Sequence, residues 1–220
     1  MDPFADLDEC VRPRPGRAAL LTIDVQVDFT SPDGSATVPG TADAVPAMRR
    51  LVEGFREADR PVVHAVRLYR PDGSNVDRCR RAAIQGGDRV VAPGSDGADL
   101  VDGLTPVPTG LDADALLAGE FQELAPGEYA LYKPRWSAFY RTPLADRLAA
   151  WDVDTVVVCG CNFPNCPRTT LYDGSQRDLR LAFVPEATSG TYERGVEELS
   201  GIGVGAATVD ETVAWVAGVE

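Results

Sequence analysis

Residues 155–170 read TVVVCGCNFPNCPRTT. A short β-branched apolar run ends at Gly160, and a proline-bearing segment with helical composition follows. The stretch therefore predicts a buried strand, 155–160, that turns at once into a helix over 166–177. Proline prefers the first helical position, so Pro167 predicts Cys166 at the N-cap. The same rhythm extends outward in both directions. Strands are expected at 18–26 (AALLTIDVQ), 61–69, 128–134, 179–187 and 205–210. Helices are expected at 41–60, 141–152, 195–203 and 211–219, with Thr41 and Thr142 as N-caps. Strands alternating with helices over short connections predict an α/β fold, a mostly parallel sheet covered by helices on both faces.

Residues 70–127 break this rhythm. They hold two helical stretches, NVDRCRRAAIQ and LDADALLAG, among Gly, Pro and Asp. An insertion of that length between strands predicts a lid, a pocket wall or a subunit contact. Residues 1–17 read as a flexible arm ahead of a single domain at 18–220.

Composition excludes several functions. With 21 basic and 34 acidic residues the net charge is −13, which repels nucleic acid and anionic membranes. It would draw in a cationic substrate, although acidity of this kind mainly confers solubility. No apolar run approaches the roughly 20 residues that span a bilayer. The N-terminus lacks the basic start and apolar centre of an export signal, so the cytoplasm is expected, with five cysteines as thiols.

Ligands of an open parallel sheet bind beyond the carboxyl ends of its strands. Three reactive side chains fall at such ends: Asp24, Lys133 and Cys166. A thiol at a helix N-terminus beside a cation is expected to ionise readily and act as a nucleophile. Asp24 could take its proton and pass it to a leaving amine. Lys133 could stabilise the thiolate or the oxyanion, and backbone N–H groups of the turn could receive that oxyanion. Each residue also has an ordinary reading: a turn aspartate, a solvated strand-end lysine, a small buried hydrophobe. Only their joint placement points to acyl transfer. The C-x-C-x4-C spacing does not suit structural zinc. His64, the only histidine, lies in an apolar strand and reads as a core residue. No G-x-G-x-x-G follows the first strand.

Three segments, DVQVDF, YKPRWSAFY and GCNFPNCPRTTLYDG, resemble the isochorismatase-like cysteine hydrolase family, and the likeness runs from about Ala18 to Gly218. The resemblance implies a six-stranded, Rossmann-like three-layer αβα fold and a triad of Asp24, Lys133 and Cys166. It implies attack of the thiolate on an amide or imide carbonyl, release of an amine or ammonia, and hydrolysis of a thioester. It also implies a non-proline cis peptide at Cys161–Asn162, with the N–H groups of Asn162 and Cys166 as oxyanion donors. Cys159 and Cys161 then become packing residues. No cofactor is implied, and a homodimer or homotetramer is. Phe163 and Pro167 depart from the threonine and valine common there. The nicotinamidase branch binds a metal through histidines that this chain lacks, so no metal is expected. The isochorismate-cleaving branch does not need the cysteine.

The expectation is thus a metal-independent cysteine amidohydrolase cleaving an amide, ureido or lactam bond of a small molecule, a cationic one being favoured by the acidic charge, with no nucleic-acid or membrane partner. The alternatives are a vinyl-ether hydrolase and a non-catalytic binding member of the fold. Phe29, Tyr69, Trp136, Tyr140 and Phe163 lie beside the motifs as candidate substrate contacts. Arg135 and Arg168 are candidates for reading a carboxylate.

Overall fold

A computed structural model of the chain describes residues 2–106 and 110–218. Its single sheet contains β1 (Ala18–Ile23), β2 (Val62–Val66), β3 (Phe121–Ala125), β4 (Glu128–Tyr132), β5 (Thr155–Gly160), β6 (Arg180–Thr188) and β7 (Gly205–Ala206), in the order β3-β4-β2-β1-β5-β6-β7. The helices are α1 (Val27–Thr30), α2 (Thr41–Glu57), α3 (Arg78–Gln85), α4 (Ala113–Leu117), α5 (Leu144–Ala150), α6 (Cys166–Ser175), α7 (Glu193–Ser200) and α8 (Val209–Val216). The end of the helix expected over 211–219 lies outside the described residues. Among the described residues no helix is long and apolar enough to cross a membrane.

Six strands are the expected ones and run parallel. The seventh, β3, is an antiparallel edge strand inside the 70–127 insertion. It joins β4 through Pro126 and Gly127, and Gly127 has φ 75°, the pairing that a type II turn requires. FQELA is only partly buried, so its sequence lacks the apolar run that marks the central strands.

Alternation along each strand sorts the core into two layers. Leu20, Val157, Cys159, Ala182 and Val184 pack under α2 and α8. Leu21, Ile23, Val63, Val156, Val158 and Phe183 pack under α5, α6 and α7. A third cluster, with Val66, Leu68, Val76, Ile84, Val91 and Leu116, anchors the insertion at the carboxyl edge of the sheet. Gly40, not Thr41, occupies the N-cap of α2, with φ 80°. Thr41 is buried one residue later and its hydroxyl donates to Ser189 Oγ at 2.9 Å.

Residues 2–17, expected as a flexible arm, lie against the domain. Phe4 is buried and meets Trp215 edge-on at 5.2 Å. A side chain at Gly205 would collide with the Phe4 ring. Arg180 donates to the carbonyls of Glu9 and Arg12.

His64 also has a structural assignment. Its Nδ1 pairs with Thr22 Oγ1 at 2.8 Å and its Nε2 with Glu128 Oε1 at 2.9 Å, while Glu128 Oε2 accepts from Arg56 at 2.9 Å. Both ring nitrogens are committed within the sheet, so the residue does not fit a metal site. Burial would raise the Glu128 pKa, but hydrogen bonding to His64 and the Arg56 charge hold it below the ordinary 4.5. A depressed carboxylate stabilises the fold above its unfolded-state pKa and loses that contribution as pH falls. Glu128→Gln should therefore lower stability by about 2 kcal/mol at pH 7. In chemical denaturation the gap to wild type should close toward pH 3; a gap that stays constant would contradict the pairing.

Candidate active site

The strand order reverses around β1 and β5, and the reactive residues gather at the carboxyl ends there. Asp24 leaves β1 with φ 54°, a left-handed conformation that aspartate tolerates better than most residues. Lys133 follows β4, and its Nζ donates to Asp24 Oδ2 at 2.8 Å. Both side chains are almost fully buried. Lys133 is the only lysine among 21 basic residues. Arginine serves every other basic position, so this one requires a compact ammonium rather than a planar guanidinium.

Cys166 is the first residue of α6, with Asn165 at the N-cap and Pro167 second, one residue later than the expected cap. Its thiol lies within reach of the Asp24 carboxylate, whose Oδ1 is otherwise buried without a partner. The expected lowering of its pKa is not what the surroundings produce. Burial raises it, and the Asp24 charge raises it further, against opposing contributions from Lys133 and Arg67. Cys166 is therefore held as a neutral thiol beside a carboxylate. Cys159 and Cys161 are pushed up to about 12 by burial and belong to the core clusters.

Gly160 lets the segment leading to Cys166 cross β1. It has φ 120°, and a Cβ there would stand 2.3 Å from the Ile23 carbonyl oxygen. Beyond it, Cys161 N–H donates to Ile23 O and Phe163 N–H to Ser189 O, both at 2.7 Å. The Cys161–Asn162 bond between these ties is trans, contrary to the resemblance. Among the described residues no acceptor takes the N–H of Asn162 or Cys166.

The candidate substrate contacts divide. Phe163 is fully buried, stacked on Phe183 at 5.4 Å and edge-on to Tyr192, and Phe29 packs into the third cluster; both are accounted for by core packing. Tyr69 donates to Asp77 Oδ2 at 3.2 Å. Trp136 and the exposed Tyr140 line a groove of about 510 Å³ that begins at Arg135. Arg168 pairs with Glu198 and Tyr192.

Sequence reading missed Arg67. It closes β2, is 1% exposed, and places one guanidinium nitrogen 3.8 Å from Cys166 Sγ and another 2.8 Å from Asp77 Oδ2. Gln26 fixes its backbone, accepting from Arg67 N–H at 2.7 Å and donating to its carbonyl at 2.8 Å. The available signal was an arginine inside the apolar run PVVHAVRLY.

These surroundings set an order of thiol reactivity. In the free protein, iodoacetamide should modify exposed Cys10 and Cys79 before Cys166, and the Cys166 rate should keep climbing at pH values where an ordinary thiol, pKa about 8.5, is already ionised. Asp24→Asn removes a charge that raises the thiol pKa, so at pH 8 it should speed Cys166 alkylation; Lys133→Met should slow it. Mass-spectrometric mapping checks both signs. Preferential labelling of Cys166 in wild type at pH 6 would contradict the neutral-thiol assignment.

Comparison with known proteins agrees with this geometry. The Isochorismatase domain family matches residues 18–117 and 112–200. A maleamate amidohydrolase of Pseudomonas putida is 31% identical over 176 residues, covering 77% of this chain and 71% of that protein. A protein of Arabidopsis thaliana described as a probable inactive nicotinamidase is 30% identical over 200 residues, covering 88% and 93%. The crystal structure of an isochorismatase family protein from Desulfovibrio vulgaris matches with a TM-score of 0.76 at 30% identity, over 88% of this chain and 95% of that one. With the sheet, the strand-end residues and these matches spanning most of its length, the chain belongs to the isochorismatase-like family.

Proposed function

We propose that the chain is a cysteine amidohydrolase that cleaves a carbon–nitrogen bond of a small molecule through a thioester, with Asp24, Lys133 and Cys166 as its machinery. The observation that carries this reading is the buried Lys133–Asp24 pair, 2.8 Å long, whose second carboxylate oxygen is buried without a hydrogen-bond partner and is the acceptor we assign to the Cys166 thiol. The maleamate amidohydrolase relative supports the bond class. Another relative is described as inactive, so the reading rests on the site rather than on family membership.

Substrate enters with its carbonyl carbon facing Sγ. Asp24 Oδ1 accepts the thiol proton as sulfur attacks, and Lys133 keeps the carboxylate oriented while balancing its charge. The tetrahedral oxygen gathers the N–H groups of Asn162 and Cys166. Asp24 returns the proton to the departing nitrogen, and ammonia or an amine leaves. Water, deprotonated by Asp24, then attacks the thioester, releasing the acid and restoring the thiol. No step needs a metal. The free thiols of all five cysteines suit a reducing compartment, and we place the protein in the cytoplasm on that ground.

On a panel of amides, ureido compounds and lactams, Cys166→Ala should reduce amine release by at least about 10³-fold, and Asp24→Asn by a comparable factor. A Cys166→Ala protein that hydrolyses a confirmed substrate at the wild-type rate would sink the proposal.

A further inference from the structure

The reactive residues gather at the carboxyl edge of the sheet, and the amino edge holds a separate cavity of about 230 Å³. It lies between the starts of β2 and β4. Its walls include Arg56, Asp59 and Arg60 from the end of α2 and the turn beyond it, Glu128 and Tyr129 from β4, and Trp151 from the turn after α5. None of Asp24, Arg67, Lys133 and Cys166 lines it.

The charges of these walls do not cancel. Glu128 is fully engaged: Oε2 accepts from two nitrogens of Arg56, at 3.1 and 2.9 Å, and Oε1 pairs with His64. Asp59 points to solvent. Arg60 has nothing left to bind. It is the only half-buried arginine that makes no side-chain hydrogen bond, ion pair or ring contact among the described residues, and its Nε is buried without an acceptor. Scarcity of carboxylates does not explain this, since the chain carries 34 acidic residues against 21 basic ones. A buried guanidinium N–H with no acceptor carries the uncompensated cost of its lost hydration, and an oxyanion placed against it removes that cost.

Two rings complete the wall. Tyr129 and Trp151, both half-buried, stand 4.9 Å apart at an interplanar angle of 31°, and a third ring can pack beside them in the offset or edge-on geometry that aromatic groups favour. The volume is below the roughly 300–1,000 Å³ of pockets for drug-sized ligands, which limits the occupant to about one ring and its charged group.

We infer that this cavity binds a small oxyanion carried on a single planar ring, with Arg60 reading the charge and Tyr129 and Trp151 receiving the ring. A guanidinium presents parallel N–H donors that match the oxygens of such a group. A cationic ligand would meet Arg56 and Arg60 together, and an uncharged ring would leave the Arg60 Nε–H unmet. Because the cavity lies at the amino edge of the sheet, its ligand is not the molecule that meets Cys166. The inference stands or falls independently of the amidohydrolase reading.

The test is calorimetric titration of the full chain with benzenesulfonate at fixed ionic strength, with methanesulfonate and benzyl alcohol as the anion and the ring alone. Benzenesulfonate should bind about 10-fold or more tightly than either fragment. Arg60→Gln should weaken it about 10-fold, and Arg60→Lys should recover only part of the loss, because it keeps the charge without the planar fork. Trp151→Leu should weaken benzenesulfonate and leave methanesulfonate unchanged. Since Arg60 has no partner in the free protein, Arg60→Gln should unfold at the wild-type temperature when no ligand is present. Benzenesulfonate binding no tighter than its fragments, or undiminished in Arg60→Gln, overturns the site. A lowered unfolding temperature in ligand-free Arg60→Gln reveals an internal partner for the guanidinium and overturns it as well.

Discussion

The buried pair of Lys133 and Asp24 is the constraint around which this molecule is arranged. Two opposite charges taken out of water impose a large desolvation cost, and only close, well-aligned contact offsets it. Here contact is achieved at 2.8 Å between residues at the ends of β4 and β1, with β2 lying between those strands. The sheet order must therefore be held for the pair to exist at all. Removing either partner would strand a buried charge, a change of the class that costs about 3–5 kcal/mol. The pair has a chemical consequence as well. It leaves one buried carboxylate oxygen without a hydrogen-bond partner next to a neutral thiol, which is what the proposed proton transfer requires.

The surroundings of Cys166 follow from local backbone requirements rather than from the thiol itself. Gly160 permits a crossing that any side chain would block with a contact near 2.3 Å. Amide ties on either side of Asn162 then fix the turn into α6. Gln26 performs the equivalent task for β2, gripping both backbone groups of Arg67. The carboxyl edge thus carries a thiol, a carboxylate, and two cations of different shape, each supported by a separate strand end.

How much of this was legible in the sequence depended on whether a residue's role is local. Asp24 and Lys133 end apolar runs, Cys166 opens the helix that follows one, and a parallel sheet brings such ends together, so the alternation of strands and helices placed them. Edge strand β3 escaped because a strand exposed along one side carries Gln and Glu like any loop, although Pro126–Gly127 marked its turn. Phe4 escaped because an arm rich in Asp and Pro gives no periodic signal for the single aromatic that docks on Trp215. The charge state of Cys166 was misjudged for another reason. A cation and a helix N-terminus can be read from sequence, but the depth of burial and the distance to Asp24 cannot. Arg67 and Asp77 are ten residues apart, yet nothing in their spacing shows that a loop folds one onto the other. The presence of one lysine among 21 basic residues was the strongest unused signal.

The central claim is that sulfur of Cys166 becomes acylated while Asp24 handles the proton. The most direct measurement is rapid-quench mass spectrometry of the intact protein during turnover of an amide, ureido or lactam substrate, followed by peptide mapping. The account predicts a transient adduct of the acyl mass on Cys166 that accumulates and decays with product formation. Turnover without any adduct on Cys166, and with full activity in a protein lacking that thiol, would contradict it.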